Sequence, residues 1–432
     1  MRDALARLAA RAPARVYPVV GGGARLAVES LRLLDTVELV DSPRSADILL
    51  VAGVLPPALL KPAIRIHDQI APPRATVLWR PPAIARDAGP PWRLFPTAVE
   101  VAGEEDLGAA IAKARGDFLS GRRSSEPPIQ PDHPPARWRG IGPYGHGGKG
   151  MTGGRPYGRP LPQRGDARDG LTLDRLSIRM GPFFPPSPPG LALDIVLQGD
   201  VLQEVAIAPN PFAPGAAGPL GTRTPPKSVP AGDAPPTIRE IELDRARSHL
   251  RWLAHALRIQ GLAALGRRAL GLAAMLQPGD PRPILRLRDL LERTRALGWA
   301  TRGVATIGAE TADPGWGPIA RAAGIDADAR ADDPAYEALG FAPVVHREGD
   351  ARARWRQRLA EAIQAVELAG RAGDRPPRLA VIEGPRGPYG PGAPEVPPPS
   401  AALPDLLTGL EWGDAVTAIV SLDLDLEEEA SR

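Results

Sequence analysis

Few residues of this 432-residue chain have types and spacings that could do chemistry on their own. The richest stretch surrounds Lys149. Backbone amides of Gly145, Gly147, Gly148 and Gly150, with charge from Lys149, Arg155 and Arg159, would form an anion-binding nest. It is not a Walker-type phosphate loop, because Pro143 stands where the first glycine is required and Gly150 where Ser or Thr must follow the lysine. The other reading of this stretch is an extended segment that packs along a partner or along the chain's own larger domain, anchored by Tyr144 and Tyr157. Histidine offers little. His67, His249, His255 and His346 have no second ligand at helical spacing, His249 and His255 fall on opposite helix faces, and His146 is alone among glycines, so no metal site follows. The chain has 0 cysteines, which excludes disulfides, iron–sulfur ligation by this chain and any thiolate-held metal centre.

The elements that must position such groups are legible from periodicity. In Leu171–Pro209, Leu191, Leu193, Ile195 and Leu197 alternate on one face, Gln198-Gly199-Asp200 makes a turn, and Val201, Val205 and Ile207 lie on the return strand. Ahead of this hairpin, the run from Gly181-Pro182 to Pro189-Gly190 is a proline-locked turn. Residues 15–120 read as an α/β unit: a strand in ARVYPVV, a tight turn at Gly21-Gly22-Gly23, a helix, a buried strand at Ile48–Ala52, a helix over Lys61–Ile70 and a strand at Ala75–Trp79, which points to a doubly wound sheet. Residues 121–170 read as a linker rich in proline, glycine and arginine, whose centre, 140–166, lacks apolar periodicity and is expected to contribute no core element. The remainder is mainly helical. Thr237 caps a helix with Ala246, Leu250, Leu253 and Leu257 on one stripe, and Gly261 bends or ends its first part. The acidic end, Asp423–Glu429, reads as a strand followed by a solvated tail.

Composition bounds the class. Apolar residues make up 43% and charged residues 24%, as in an ordinary globular protein, while 53 prolines and 47 glycines require long irregular connections. Formal net charge is only +3, and no basic cluster interleaves with aromatics, so nucleic acid is not an expected partner. No stretch approaches the roughly 20 apolar residues of a spanning helix, and the amino terminus has no apolar core of signal-peptide type. The expectation is a cytoplasmic protein that touches a membrane only through partners.

Several phrases resemble subunits of respiratory complex I, the NADH-quinone oxidoreductase. VDSPRSADILLVAGVLPPALLKPAIRIHDQIAPPRATVLW is similar to the 20-kDa, PSST-type small subunit that carries the terminal iron–sulfur cluster. MGPFFPPSPPGLALDIVLQGDVL, ELDRARSHLRWL, GWGPIARAAGIDADARADDPAYEAL, REGDARARWRQRLAEAIQAVELA and VIEGPRGPYG resemble the 49-kDa-type subunit, related to the nickel–iron hydrogenase large subunit. The chain thus resembles a fusion of the two. The implied fold class is an α/β flavodoxin-like amino-terminal domain over 15–120, a Gly/Pro/Arg-rich linker over 121–170, and an α+β hydrogenase-large-subunit-like domain over 171–432 with an antiparallel hairpin and a helical bundle. LPDLLTGLEWGDAVTAIVSLDLDLEEEASR matches the family's closing helix and strand.

Carried over residue by residue, the resemblance implies cofactor sites that have lost their chemistry. Phe184 and Pro188 stand at the two histidines of the family's quinone-head pocket, and Ile259 stands at the aspartate that partners them. Gly21, Gly22 and Gly23 occupy the turn of the cluster cysteines. His249 matches a histidine near the terminal cluster, and Glu383 and Arg386 persist from the motif Glu-x-Pro-Arg-Gly-Glu. The resemblance therefore implies no iron–sulfur cluster, no nickel–iron centre and no quinone on this chain. It implies a structural or coupling subunit, peripheral on the cytoplasmic face of the inner membrane and docked on membrane-embedded complex I-like or antiporter-like subunits. Two further readings stay open: a quinone-linked oxidoreductase subunit using another chain's redox centre, with His249, Glu383 and Arg386 as its residues, and a soluble module binding an anion at the nest.

Overall fold

Apolar runs bounded by glycine and proline form the expected strands. The computed structural model describes residues 12–80, 94–131, 163–166, 172–213 and 236–431. Its first sheet comprises β1 (Ala14–Val20), β2 (Val37–Leu39), β3 (Ile48–Ala52), β4 (Ala75–Trp79) and β5 (Val99–Val101), in the order β2-β1-β3-β4-β5 with every pairing parallel. Helix α1 (Arg25–Ser30) and helix α2 (Pro57–Gln69) cross over between β1 and β2 and between β3 and β4, and α3 (Leu107–Leu119) follows β5. Strand residues alternate between two covered faces. Val16, Ile48, Leu50, Val77 and Trp79 pack with Val28 of α1 and Leu107 and Ile111 of α3, whereas Val19, Leu49, Val51 and Leu78 pack with Leu59 and Ala63 of α2. Burial on both faces is why these strands read as continuous apolar runs.

The segment expected to be a linker is anchored at both ends. The buried Glu126 carboxylate accepts hydrogen bonds from Thr76 N at 2.9 Å and Thr76 Oγ1 at 2.7 Å, and His67 Nε2 lies 3.3 Å from it. Arg74 Nη1 donates to carbonyls at the end of α2, His67 O at 3.3 Å and Ile70 O at 2.8 Å. Strand β6 (Gln163–Asp166) pairs antiparallel with β7 (Thr172–Met180), covering an edge that would otherwise be open. Strands β8 (Leu193–Gln198) and β9 (Val201–Ile207) complete a sheet of order β6-β7-β8-β9. A bulge between Val196 and Leu197 shifts the return strand, so Leu202 is buried alongside Ile195, while Val201 and Val205 are half-buried and Ile207 is exposed.

Two 22-residue helices form the centre of the larger unit: α4 (Ile238–Ile259) and α7 (Ala351–Ala372). Thr237 caps α4 through a complete capping box with Glu240, and the stripe Ala246, Leu250, Leu253 and Leu257 is buried as expected. Gly261 lies at φ 77° just past the helix and ends it, and α5 (Ala263–Ala274) follows. Ile238 N donates to Arg375 O, just beyond α7, at 2.8 Å, so α4 and α7 run antiparallel. Trp252 and Trp355 meet edge to face at 5.3 Å between them. Helix α6 (Arg282–Thr294) adds Ile284, Leu287 and Leu291 to this core.

The carboxy terminus departs from expectation. After α8 (Trp412–Leu422), Asp423 takes a left-handed conformation at φ 52°, and Leu424 and Leu426 are buried in the core. The end is a short helix, α9 (Leu426–Ser431), where a strand and a solvated tail were expected. Charge alternating with leucine reads as a strand, but here the leucines pack inward while arginines from three segments take up the carboxylates. Among the described residues no helix is long and apolar enough to cross a membrane.

Candidate functional site

Helices α4 and α7 bring a chain of charged side chains into the interior. His249 of α4 faces Glu361 of α7, with Nε2 at 3.2 Å from Glu361 Oε2 and Nδ1 at 3.5 Å from Arg358 Nη1. A guanidinium can only donate, so Nδ1 accepts, Nε2–H donates and the imidazole is neutral. Burial agrees with this, lowering His249 to about 4 although Glu361 pulls the other way. Glu361 also accepts from Arg321 Nε at 2.8 Å and Gln357 Nε2 at 2.8 Å. Burial opposes its charge, but Arg321 and His249 outweigh that and hold the carboxyl well below its ordinary range.

Arg321 extends the chain to Glu383 Oε1 at 2.9 Å and to Asp328 Oδ2 at 3.2 Å. Arg330 grips Asp328 with two hydrogen bonds, 2.9 and 2.7 Å, and reaches Glu242 of α4 at 3.1 Å. Arg245 Nη1 donates to Gly384 O at 2.8 Å, and its Nη2 bonds Glu383 O. These contacts tie α4 to a small hairpin, β10 (Ile382–Gly384) and β11 (Gly387–Tyr389). Burial raises the Glu383 carboxyl against the pull of Arg321. With its charges paired and its carbonyls taken up, the cluster is built to hold elements in place.

A second knot joins the two units. Asp423 lies 3.3 Å from Arg358, Arg386 and Arg25. Arg386 Nη1 bonds Glu428 at 2.9 Å, and Gly23 N donates to Glu427 Oε2 at 2.8 Å. The Gly21-Gly22-Gly23 turn is therefore closed by a carboxylate from α9. The long-range half of this contact carries no local signal, and sequence reading missed it.

Next to this knot lies a cavity of about 450 Å³ between the first sheet, the proline turn and α4. Gly181, at φ 87°, enters the turn where any Cβ would lie 2.0 Å from Leu191 O, and Gly190 N closes the loop on Pro182 O at 2.9 Å. Tyr17 Oη donates to Phe183 O at 2.6 Å and fixes the turn to β1. Phe184 lines the cavity and packs on Trp412, with ring centres 6.0 Å apart, and Pro188 lines it too. His255 Nε2 lies 3.3 Å from Pro186 O and donates to it, since a carbonyl oxygen can only accept, and burial and then Arg258 lower this histidine to about 3, so the ring is neutral. Ile259 is half-buried against the core of α4 and α5, away from the cavity wall.

His249, Glu383 and Arg386 are thus brought into one ionic system, but none of them lines the cavity. Of the remaining arginines of the site, Arg321 and Arg330 lie in the phrase GWGPIARAAGIDADARADDPAYEAL that carries the resemblance, whereas Arg358 has no signal of its own among the many arginines of this chain. Gly147, Gly148, Lys149, Arg155 and Arg159 lie outside the described residues. No group of three or more metal-ligating side chains occurs among the described residues.

With this geometry in view, the model of the family described as respiratory-chain NADH dehydrogenase, 49 Kd subunit, matches residues 278–390. That segment holds Arg321, Asp328, Arg330, Glu361, Glu383 and Arg386. Among curated proteins, a D-type NADH-quinone oxidoreductase subunit of Rhizobium etli (strain CIAT 652) is 39% identical over 99 residues, covering 21% of this chain and 24% of that protein. Its counterpart of the same name from Sinorhizobium medicae (strain WSM419) is 39% identical over 90 residues, 19% of this chain and 22% of the other. The chain thus spans about a quarter of the length of the curated relatives it matches. Similarity to the 49-kDa-type subunit is established for this segment, and the amino-terminal sheet lies outside the family match.

Proposed function

We propose that this chain is a structural or coupling subunit of a complex I-like, membrane-associated assembly, docked on ion-translocating membrane subunits and carrying no redox cofactor of its own. Similarity to the NADH-quinone oxidoreductase subunits of Rhizobium and Sinorhizobium supports a place in such an assembly. One observation carries the cofactor-free part: the positions of lost chemistry are filled by packing and ion pairs. At the cluster turn, Gly23 N is bonded to Glu427 in a chain with 0 cysteines, so an iron–sulfur cluster does not fit the residues present, and a thiolate-held nickel–iron centre has no ligands. At the head-group positions, Phe184 packs at a tilt against Trp412 and Pro188 has no donor, so a quinone head does not fit there either. Substituted sites with an intact framework are what a subunit kept for its contacts would show.

We read residues 15–120 as the flavodoxin-like, small-subunit-like part and 171–432 as the hydrogenase-large-subunit-like part of a fusion. The strand order β2-β1-β3-β4-β5 supports the first assignment. In this reading the assembly sits on the cytoplasmic face of the inner membrane. Tagged chain extracted from native membranes in mild detergent tests the proposal. It should co-purify with antiporter-like membrane subunits and give neither iron nor a paramagnetic signal of its own. A chain recovered only as a soluble monomer, absent from the membrane fraction, would overturn it.

A further inference from the structure

We infer that the cavity between the proline turn, α4 and the first sheet binds an amphipathic anion: a single aliphatic chain ending in a carboxylate or phosphate. The volume of about 450 Å³ lies within the range of small-molecule sites, roughly 300–1,000 Å³. Phe183, Pro186, Pro188, Trp252, Ala254 and Ile419 give it an apolar wall. Uncharged partners are few: Ser187 Oγ is buried without one, but Phe184 and Pro188 offer none and the Nε2–H of His255 is already given to Pro186 O.

The wall carries five arginines and five carboxylates, Glu29, Asp35, Glu38, Asp41 and Asp423, so what it offers an anion is the guanidiniums left without a partner. Arg258 is paired with Asp41 at 2.7 Å, Arg267 with Asp35 at 2.6 Å, and Arg25 with Glu29 at 3.2 Å. Arg32 and Arg251 also line the cavity, and neither makes an ion pair or side-chain hydrogen bond among the described residues. The carboxylates whose fields reach Arg32, Asp41 and Glu29, are bonded to Arg258 and Arg25. Burial and then Arg258 lower the Arg32 guanidinium to about 10, a cost that a bound anion would relieve. An arginine fork matches carboxylate or phosphate oxygens, and the proline-lined wall accepts a chain. The inference rests on the cavity alone and is independent of the assembly proposed above.

Calorimetric titration of the full chain, below micelle-forming concentrations, tests it with laurate, dodecyl phosphate, dodecanol and inorganic phosphate. Laurate or dodecyl phosphate should bind at least about tenfold more tightly than dodecanol or inorganic phosphate, and their ratio says which head group is preferred. R32Q and R251Q, each with an unchanged unfolding midpoint, should weaken the anion about tenfold, with R356Q on a remote surface as the unaffected control. Equal binding of dodecanol, equal binding of inorganic phosphate, wild-type affinity in both cavity variants, or no binding of any probe would each overturn the inference. The wild-type comparison decides even if a variant fails to fold.

Discussion

The carboxylate of Glu427 accepts a hydrogen bond from the backbone N–H of Gly23, 404 positions earlier in the chain, at 2.8 Å. The same knot holds Arg25 on Asp423 at 3.3 Å. The carboxy-terminal helix thereby fastens the amino-terminal sheet to the larger unit.

The glycines of the Gly21-Gly22-Gly23 turn should differ sharply in tolerance. A Cβ on Gly21 would meet Val54 O at 2.3 Å, a backbone atom that cannot move without breaking β3's exit, whereas one on Gly22 meets only the end of Glu427 at 3.2 Å. Gly21→Ala should cost about 2 kcal/mol and Gly22→Ala less than about 1 kcal/mol. Urea unfolding of both variants checks this, and equal losses would mean that the close approach to Val54 is not as described.

Arg321 touches Glu361, Glu383 and Asp328 within a fully buried site. Arg321→Met should cost about 3–5 kcal/mol, because it strands buried carboxylates. Arg356→Met breaks only the half-exposed pair with Glu292 and should change stability by less than about 0.5 kcal/mol. Denaturant midpoints of the two variants give the comparison directly.

Acid should destabilise the fold before ordinary carboxylates titrate. His249 is lowered to about 4 in the folded chain and titrates near 6.5 when unfolded. The unfolded chain therefore takes up the proton first, so stability present above about pH 6.5 is lost as pH falls towards 4. Glu361, held well below its ordinary range, adds a further loss at lower pH. Unfolding midpoints followed from pH 7 to 4 should fall, and His249→Gln, which keeps a donor near Glu361 without titrating, should flatten that slope. An unchanged slope would place the acid sensitivity elsewhere, His255 being the next group to test.

Helix α4 begins with a reciprocal box, Glu240 N donating to Thr237 Oγ1 at 3.3 Å and Thr237 N to Glu240 Oε2 at 2.8 Å. Thr237→Ala should cost about 1 kcal/mol. Thermal unfolding measures it, with Thr237→Ser expected to restore most of the loss.

Local pattern in the sequence determined what depends on neighbours along the chain. The capping box at Thr237, the stripe from Ala246 to Leu257, the stop at Gly261, the buried runs Ile48–Ala52 and Ala75–Trp79 and the hairpin after the proline turn are all set by periods of two or 3.6 and by turn chemistry. Tertiary structure alone decided the charges and the ends. His249 meets Glu361 across 112 positions and Arg321 meets Glu383 across 62, and no period links such residues before two helices pack antiparallel. The same holds for Glu126, which looks like linker until Thr76 presents its N–H, and for the acidic terminus, which reads as a solvated tail until arginines from three segments converge on Asp423. A carboxylate's sequence records that it is charged, and only the packed chain supplies the partner that lets it be buried.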